Sequence, residues 1–162
     1  MKQLLLVSTL FLLSLNVSFA KGKKGITVDV NLSPAGSFQV TSKRVKGKIQ
    51  KKGAGYVAEN VYVSVKSLKT GSDLRDEHTK KRLNKDDKVT IVKAIAKNGK
   101  GNGIISINKV KKKFKFVYKE LSKKLVEAKF KLNLKDFKIE SINYMGIGVE
   151  NEVTVTAVVP VK

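Results

Sequence analysis

The segment Ser67-Leu68-Lys69-Thr70-Gly71-Ser72-Asp73-Leu74-Arg75-Asp76-Glu77-His78 interrupts a pattern that otherwise runs through the chain. Before it, Val57, Val61, Val63 and Val65 alternate with Ala58, Asn60, Tyr62 and Ser64. Side chains on a strand point alternately to its two faces, so such a run buries one face and wets the other. From Asp73 to Leu83 the alternation stops. Asp73 is of a type that caps helices, and Asp76 lies near the positive end of the helix dipole. A short helical segment of one or two turns is expected near residues 73–83, followed by a polar loop. The segment holds the chain's single histidine and one of its three arginines, with Asp73, Asp76 and Glu77 gathered around Arg75.

Outward from this segment the period is two almost everywhere. Ile26, Val28, Val30 and Leu32 alternate with polar residues, as do Phe114, Phe116 and Tyr118. Ala128, Phe130, Leu132 and Leu134, then Val153, Val155, Ala157, Val159 and Val161, repeat the pattern. Turn signals separate the runs at Ser33-Pro34-Ala35-Gly36, Lys52-Gly53-Ala54-Gly55 and Asn98-Gly99-Lys100-Gly101-Asn102-Gly103. Lys119 to Glu127 admits a helix, with Leu121 and Leu125 four apart, but the flanking strands favour a hairpin turning near Ser122-Lys123-Lys124. Short strands with regular turns make a sandwich or a barrel, and closure into a barrel removes aggregation-prone edges.

The pattern S-L-x-T-G-x-x-L-R-D-x-H of residues 67–78 resembles the signature of the YceI-like family. Phe38-Gln39-Val40 and Val45-Lys46-Gly47-Lys48-Ile49 resemble that family's early strands, Phe130 to Phe137 its late strand and turn, and Val149 to Val161 its closing strand. Where the family often has paired phenylalanines after the histidine, this chain reads Lys80-Lys81-Arg82-Leu83-Asn84-Lys85-Asp86-Asp87. The resemblance implies an all-β fold: one antiparallel, lipocalin-like β-barrel of about 8 strands, a number that can enclose one small ligand. It also implies a periplasmic carrier that holds an isoprenoid or other long-chain lipid inside.

The first twenty residues read as a secretory signal peptide. Lys2 supplies the positive start, Leu4 to Leu15 the apolar stretch, and Ser18-Phe19-Ala20 the small residues of a cleavage site, cut after Ala20. The apolar stretch is shorter than the ~20 residues of a spanning helix. Residues 21–162 then form one domain, periplasmic or secreted, of a size that supports its own core. The chain has no cysteine, so neither disulfides nor thiol chemistry enter.

The net charge is +21, of which the leader carries only Lys2, so residues 21–162 hold +20. Of the basic residues 31 are lysines, which are hydrated point charges rather than the planar forks that arginine offers to phosphates and bases. Two readings stand: a solubilising coat, or a surface for anionic lipid headgroups or envelope polyanions. The run Lys109 to Tyr118 mixes lysines with aromatics, as single-strand nucleic-acid binders do. On a strand, however, Phe114, Phe116 and Tyr118 face away from Lys111, Lys113 and Lys115. No specific nucleic-acid partner is expected.

Catalytic chemistry finds little support. One histidine beside two carboxylates falls short of a metal site, which wants three or four ligands, and no G-x-S-x-G turn is present for a nucleophile. Neither a catalytic nor a metal residue is assigned, and no cofactor beyond a bound isoprenoid or fatty-acid-like lipid. The candidate lining is Phe38, Val40, Val63, Val65, Ile105, Ile107, Phe114, Phe116, Phe130 and Leu132, each on the apolar parity of its strand. Side chains that simply fill a barrel would show the same parity. Arg75 and His78, near the mouth, are expected to orient a polar or phosphorylated headgroup; alternatively Arg75 pairs with neighbouring carboxylates and His78 bonds locally. The expected function is a non-enzymatic exported lipid carrier. The alternative is a basic interaction protein that grips an anionic polymer or membrane through its lysine face. A monomer and a homodimer are both compatible with the sequence.

Overall fold

The computed structural model describes residues 22–140, 143–144 and 146–162. The signal-peptide expectation for residues 1–20, with its cleavage after Ala20, lies outside them. Among the described residues no helix is long and apolar enough to cross a membrane.

Among the described residues, alternating sequence becomes eleven antiparallel strands in one sheet. In chain order they are β1 (Gly25–Ser33), β2 (Ser37–Ser42), β3 (Val45–Lys46), β4 (Ile49–Lys52), β5 (Gly55–Ser64), β6 (Lys88–Lys97), β7 (Lys100–Ile107), β8 (Val110–Ser122), β9 (Leu125–Asn133), β10 (Asn143–Tyr144) and β11 (Ile147–Pro160). Eight of them have six or more residues; β3, β4 and β10 are short. The order across the sheet is β2-β1-β11-β9-β8-β7-β6-β5-β3, with β4 also on β5 and β10 on β11. The two ends of this path are drawn together by backbone bonds. Thr41 exchanges hydrogen bonds of 2.7 and 2.9 Å with Lys69, beyond β5, and Lys162 donates to the Ile49 carbonyl at 2.8 Å. The sheet thus curls into a nearly closed barrel, which leaves little free edge.

Tight turns set the register. Asn98-Gly99 and Asn108-Lys109 both have positive φ at both central residues, the two-residue geometry whose twist matches that of the strands. The β8–β9 segment is a hairpin around Lys123-Lys124, not a helix. Two strands depart from simple alternation. In β6, Val89 and Ile91 face inward and then Ala94 and Ala96 do, because the register with β7 shifts between Ile91 and Lys93. In β5, Tyr56 and Ala58 face in, Asn60 takes a left-handed turn of backbone (φ 51°), and Val61 and Val63 face in. Val57 therefore does not share an inward face with Val61 and Val63, contrary to the uniform alternation expected from sequence.

The glycines of the 98–103 segment also differ from expectation. The turn is only Asn98-Gly99, and Gly101 and Gly103 lie within β7, opposite Phe116 and Phe114. A Cβ on Gly101 would stand 2.2 Å from Phe116 Cζ, and one on Gly103 2.9 Å from Phe114 Cε1. The rings of β8 occupy the space that side chains on β7 would take.

Candidate functional site

Among the described residues, two apolar cavities that share a wall lie in the barrel interior. The larger, about 210 Å³, is enclosed by inward side chains of β1, β2, β5–β7, β9 and β11. The smaller, about 80 Å³, lies toward the other end, among Tyr56, Ala96, Phe114, Phe116, Tyr118 and Ala128. Val61, Ile91, Phe130, Ala157 and Val159 border both. The small chamber exists because Ala58, Ala94, Ala96, Ala128 and Ala157 fill so little of the space that their strands enclose. Phe114 packs 4.6 Å from Phe130 and 5.5 Å from Phe116, centroid to centroid. At the far end Tyr56 meets Tyr118 edge-on at 5.6 Å and donates a hydrogen bond to Glu120. That bond first, and burial second, push the Tyr56 hydroxyl pKa up to about 12.

At the opposite end lies helix α1 (Asp73–Arg82), inserted between β5 and β6. It runs ten residues, longer than the one or two turns expected, and its N-cap is Ser72 rather than Asp73. The segment before it is fastened from several sides. Leu68 is buried. The Ser67 hydroxyl donates to the Ser64 carbonyl at 2.7 Å, so it accepts from the Ser42 hydroxyl 2.8 Å away. Asp76 then locks the start of the helix. Its Oδ1 accepts from the Thr70 backbone N–H at 2.6 Å and the Thr70 hydroxyl at 2.8 Å, and Lys69 Nζ lies 2.9 Å from its Oδ2. The Lys69 contact, followed by the Thr70 hydroxyl, holds its carboxyl at about 2. Asp76 thus pairs with Lys69, not with Arg75.

Placement of the expected site residues is uneven. Phe38, Val40, Val63, Ile105, Ile107, Phe130 and Leu132 line the larger cavity. Phe114 and Phe116 line the smaller one. Val65 is buried but lines neither. β5 ends at Ser64, and a 3-10 turn over Val65–Ser67 takes Val65 out of the alternation. Arg75 is half-buried, with its guanidinium 4.7 Å from the Phe38 ring centroid, and it makes no ion pair with any described residue. His78 is exposed. One helical turn from Leu74, it sits on the outer face of α1 and lines neither cavity.

The helix face turned toward the cavity is carried by Thr79, Arg82 and Leu83. Among the described residues, Arg82 is the one charged residue in the wall of the larger cavity, and Thr79 is the polar one beside it on the helix; Tyr62 borders the cavity from β5, but its ring lies outside, 4.6 Å from Lys88 Nζ. Sequence reasoning missed Thr79, Arg82 and Leu83 as lining residues. The i, i+3, i+4 spacing of Thr79, Arg82 and Leu83 was the available signal, hidden among the charged residues of the segment expected to be helical near residues 73–83. Asn108, in the β7–β8 turn, reaches under this end of the helix and donates to the Arg82 carbonyl at 2.9 Å.

Among the described residues no group of three or more His, Cys, Asp or Glu side chains is placed to hold a metal ion. The arrangement is an apolar chamber with a few polar groups at one end. Such a chamber encloses a chain-like apolar molecule by burial and orients its polar terminus.

Comparison with known proteins agrees with this architecture. No curated protein matches the chain. A solved polyisoprenoid binding domain from Saccharophagus degradans, implicated in plant cell wall breakdown, is similar in fold. The two share 11% identity over 86% of this chain and 93% of that one, with a TM-score of 0.60. The model of the YceI-like domain matches residues 16–161, which include every strand of the barrel, and the chain therefore belongs to that family.

Proposed function

We propose that this protein is an exported carrier that holds one isoprenoid or other long-chain amphipathic lipid inside its barrel. The observation that carries the reading is the pair of adjoining apolar cavities, about 210 and 80 Å³, with Thr79 and Arg82 at the helix end of the larger and Tyr56 and Tyr118 at the far end of the smaller. A chain threaded from one into the other gains about 0.8 kcal/mol for each methylene it buries. The similar solved domain binds a polyisoprenoid, which favours that chemical class. Arg82, whose guanidinium also lies 3.9 Å from Glu140, and Arg75, two turns earlier on the helix and stacked on Phe38, supply cationic charge beside the cavity for a phosphate or carboxylate headgroup. The role assigned to His78 from sequence is not retained, because its side chain faces away from the chamber. In this reading the protein binds and carries its cargo without transforming it.

Native mass spectrometry of the purified protein, followed by organic extraction, tests the reading. A stoichiometric long-chain lipid that survives high salt is the expected result. A protein that is empty and takes up neither isoprenoid nor fatty-acid probes would overturn it. Arg82→Ala should retain the chain but weaken selection for charged over neutral headgroups. Equal affinity for both in the parent protein would remove Arg82 from the account.

A further inference from the structure

The lysines are not spread evenly over the barrel. Residues 88–119, which contain β6, β7 and most of β8, include ten lysines and no Asp or Glu. The strands β1, β2 and β11 contain no Lys or Arg at all, and three carboxylates: Asp29, Glu150 and Glu152. These two groups of strands are separated in the sheet by β9. A coat that served solubility alone has no reason to concentrate on one wall. Most of the wall's lysines lack neutralising partners too: Lys93, Lys97, Lys100, Lys113 and Lys115 are exposed and form no ion pair with any described residue.

The base of this wall is the end away from α1, since antiparallel strands put the β6–β7 and β8–β9 turns opposite the β5–β6 connection. Lys97 and Lys100 flank one of these turns, and Lys123 and Lys124 form the other. Exposed apolar side chains stand among them. Ile95 is 51% and Val117 54% exposed, and Leu121 lies near the β8–β9 turn at 36%. The register places Val117 between Lys100 of β7 and Lys129 of β9, in a row continued by Lys97. Ile95 is two residues before Lys97 and so on the same outer face.

We propose that the outer wall of β6, β7 and β8, with the turns at its base, docks on an anionic lipid bilayer. Lysines near a negatively charged membrane surface each contribute about 1 kcal/mol, and their stems lie along apolar surface while the ammonium groups reach phosphate. Ile95, Val117 and Leu121 decide between a bilayer and a soluble anionic polymer. A bilayer rewards apolar side chains that enter the headgroup boundary, whereas a hydrated polymer does not. The docking is independent of what the cavity carries.

Flotation of the protein with vesicles, phosphatidylcholine alone against phosphatidylcholine mixed with phosphatidylglycerol, tests the proposal. Binding should require phosphatidylglycerol. The triple change Lys97→Gln, Lys100→Gln and Lys124→Gln should lower affinity about a hundredfold, three lysines' worth. Lys80→Gln, Lys81→Gln and Lys85→Gln together remove the same charge at the helix end and should leave affinity nearly unchanged. Ile95→Ser with Val117→Ser should weaken flotation of a protein that still unfolds cooperatively, its melting temperature lowered only by the loss of two half-exposed β-branched side chains. Equal losses from the two lysine triples would reduce the effect to net charge and overturn a docking wall. Failure to float, or flotation indifferent to Ile95 and Val117 with tight binding of soluble polyphosphate, would overturn the bilayer in favour of a polymer.

Discussion

At Asp76 a carboxylate is 5% exposed and still charged, because Lys69 and two donors of Thr70 surround it. Its pKa falls from 3.8 to about 2 on folding. A depressed folded pKa contributes stability that is complete above the unfolded value and is lost as pH falls through the folded one. The contribution of Asp76 should therefore disappear between pH 3.8 and about 2. Asp76→Asn keeps an acceptor for Thr70 and removes the charge that meets Lys69. Its melting temperature should lie below the parent's at neutral pH and converge on it at the acid end of that window; parallel curves down to pH 2 would assign the stability elsewhere. Gly101 is a second position where one atom decides. With a Cβ 2.2 Å from the Phe116 ring and 2.7 Å from the Ile95 carbonyl, Gly101→Ala should cost about 1–3 kcal/mol as an overpacked interior change, measured by urea unfolding. Adding Phe116→Leu should recover part of that loss.

A helix of ten residues is too short to persist in water on its own, so α1 depends on its attachments. Asp76 fixes one end and Asn108 the other, through the Arg82 carbonyl. Asn108 also has φ 51°, so an alanine there would mix backbone strain with loss of the anchor. Asn108→Gly tolerates the same backbone and removes only the amide. It should destabilise the protein by about 1–3 kcal/mol, the cost of a buried bond left unmade, and speed amide exchange in α1 ahead of the strands. Uniform protection across helix and sheet would show that the anchor is redundant. The position of this helix was legible in sequence, because alternation stops at Asp73. Its inner face was not: Thr79, Arg82 and Leu83 matter through what they face, and the charged residues between them conceal the period. The parity break in β5 and β6 was hidden for a related reason. Asn60 turns the chain by a single backbone dihedral, while Val57 and Val61 keep the same sequence spacing as an unbroken strand.

Around the whole barrel, strand periodicity announces which side chains point inward but not how much space they leave. Phe38, Val40, Ile105, Ile107, Phe130 and Leu132 were legible as interior from alternation alone, yet the same pattern describes a solid core. The chambers arise from sums over many strands, in which alanines at 58, 94, 96, 128 and 157 face one another across the lumen. Those sums require the register and the bulges, neither of which a single strand reveals. The two-chamber form has a consequence for cargo length. If a lipid tail passes Phe130 into the smaller cavity, filling that cavity should shorten the longest chain retained and spare shorter ones. Ala94→Leu and Ala128→Leu place branched side chains into the 80 Å³ space without touching the wall of the larger chamber. Affinity for a graded series of fatty acids and isoprenoids, measured by competition with a fluorescent lipid, should fall only beyond a threshold length in these variants. Each methylene excluded should cost about 0.8 kcal/mol, so the loss grows stepwise with chain length. If the longest chains bind the variants and the parent equally, the tail stops at Phe130 and the smaller cavity lies outside the binding site.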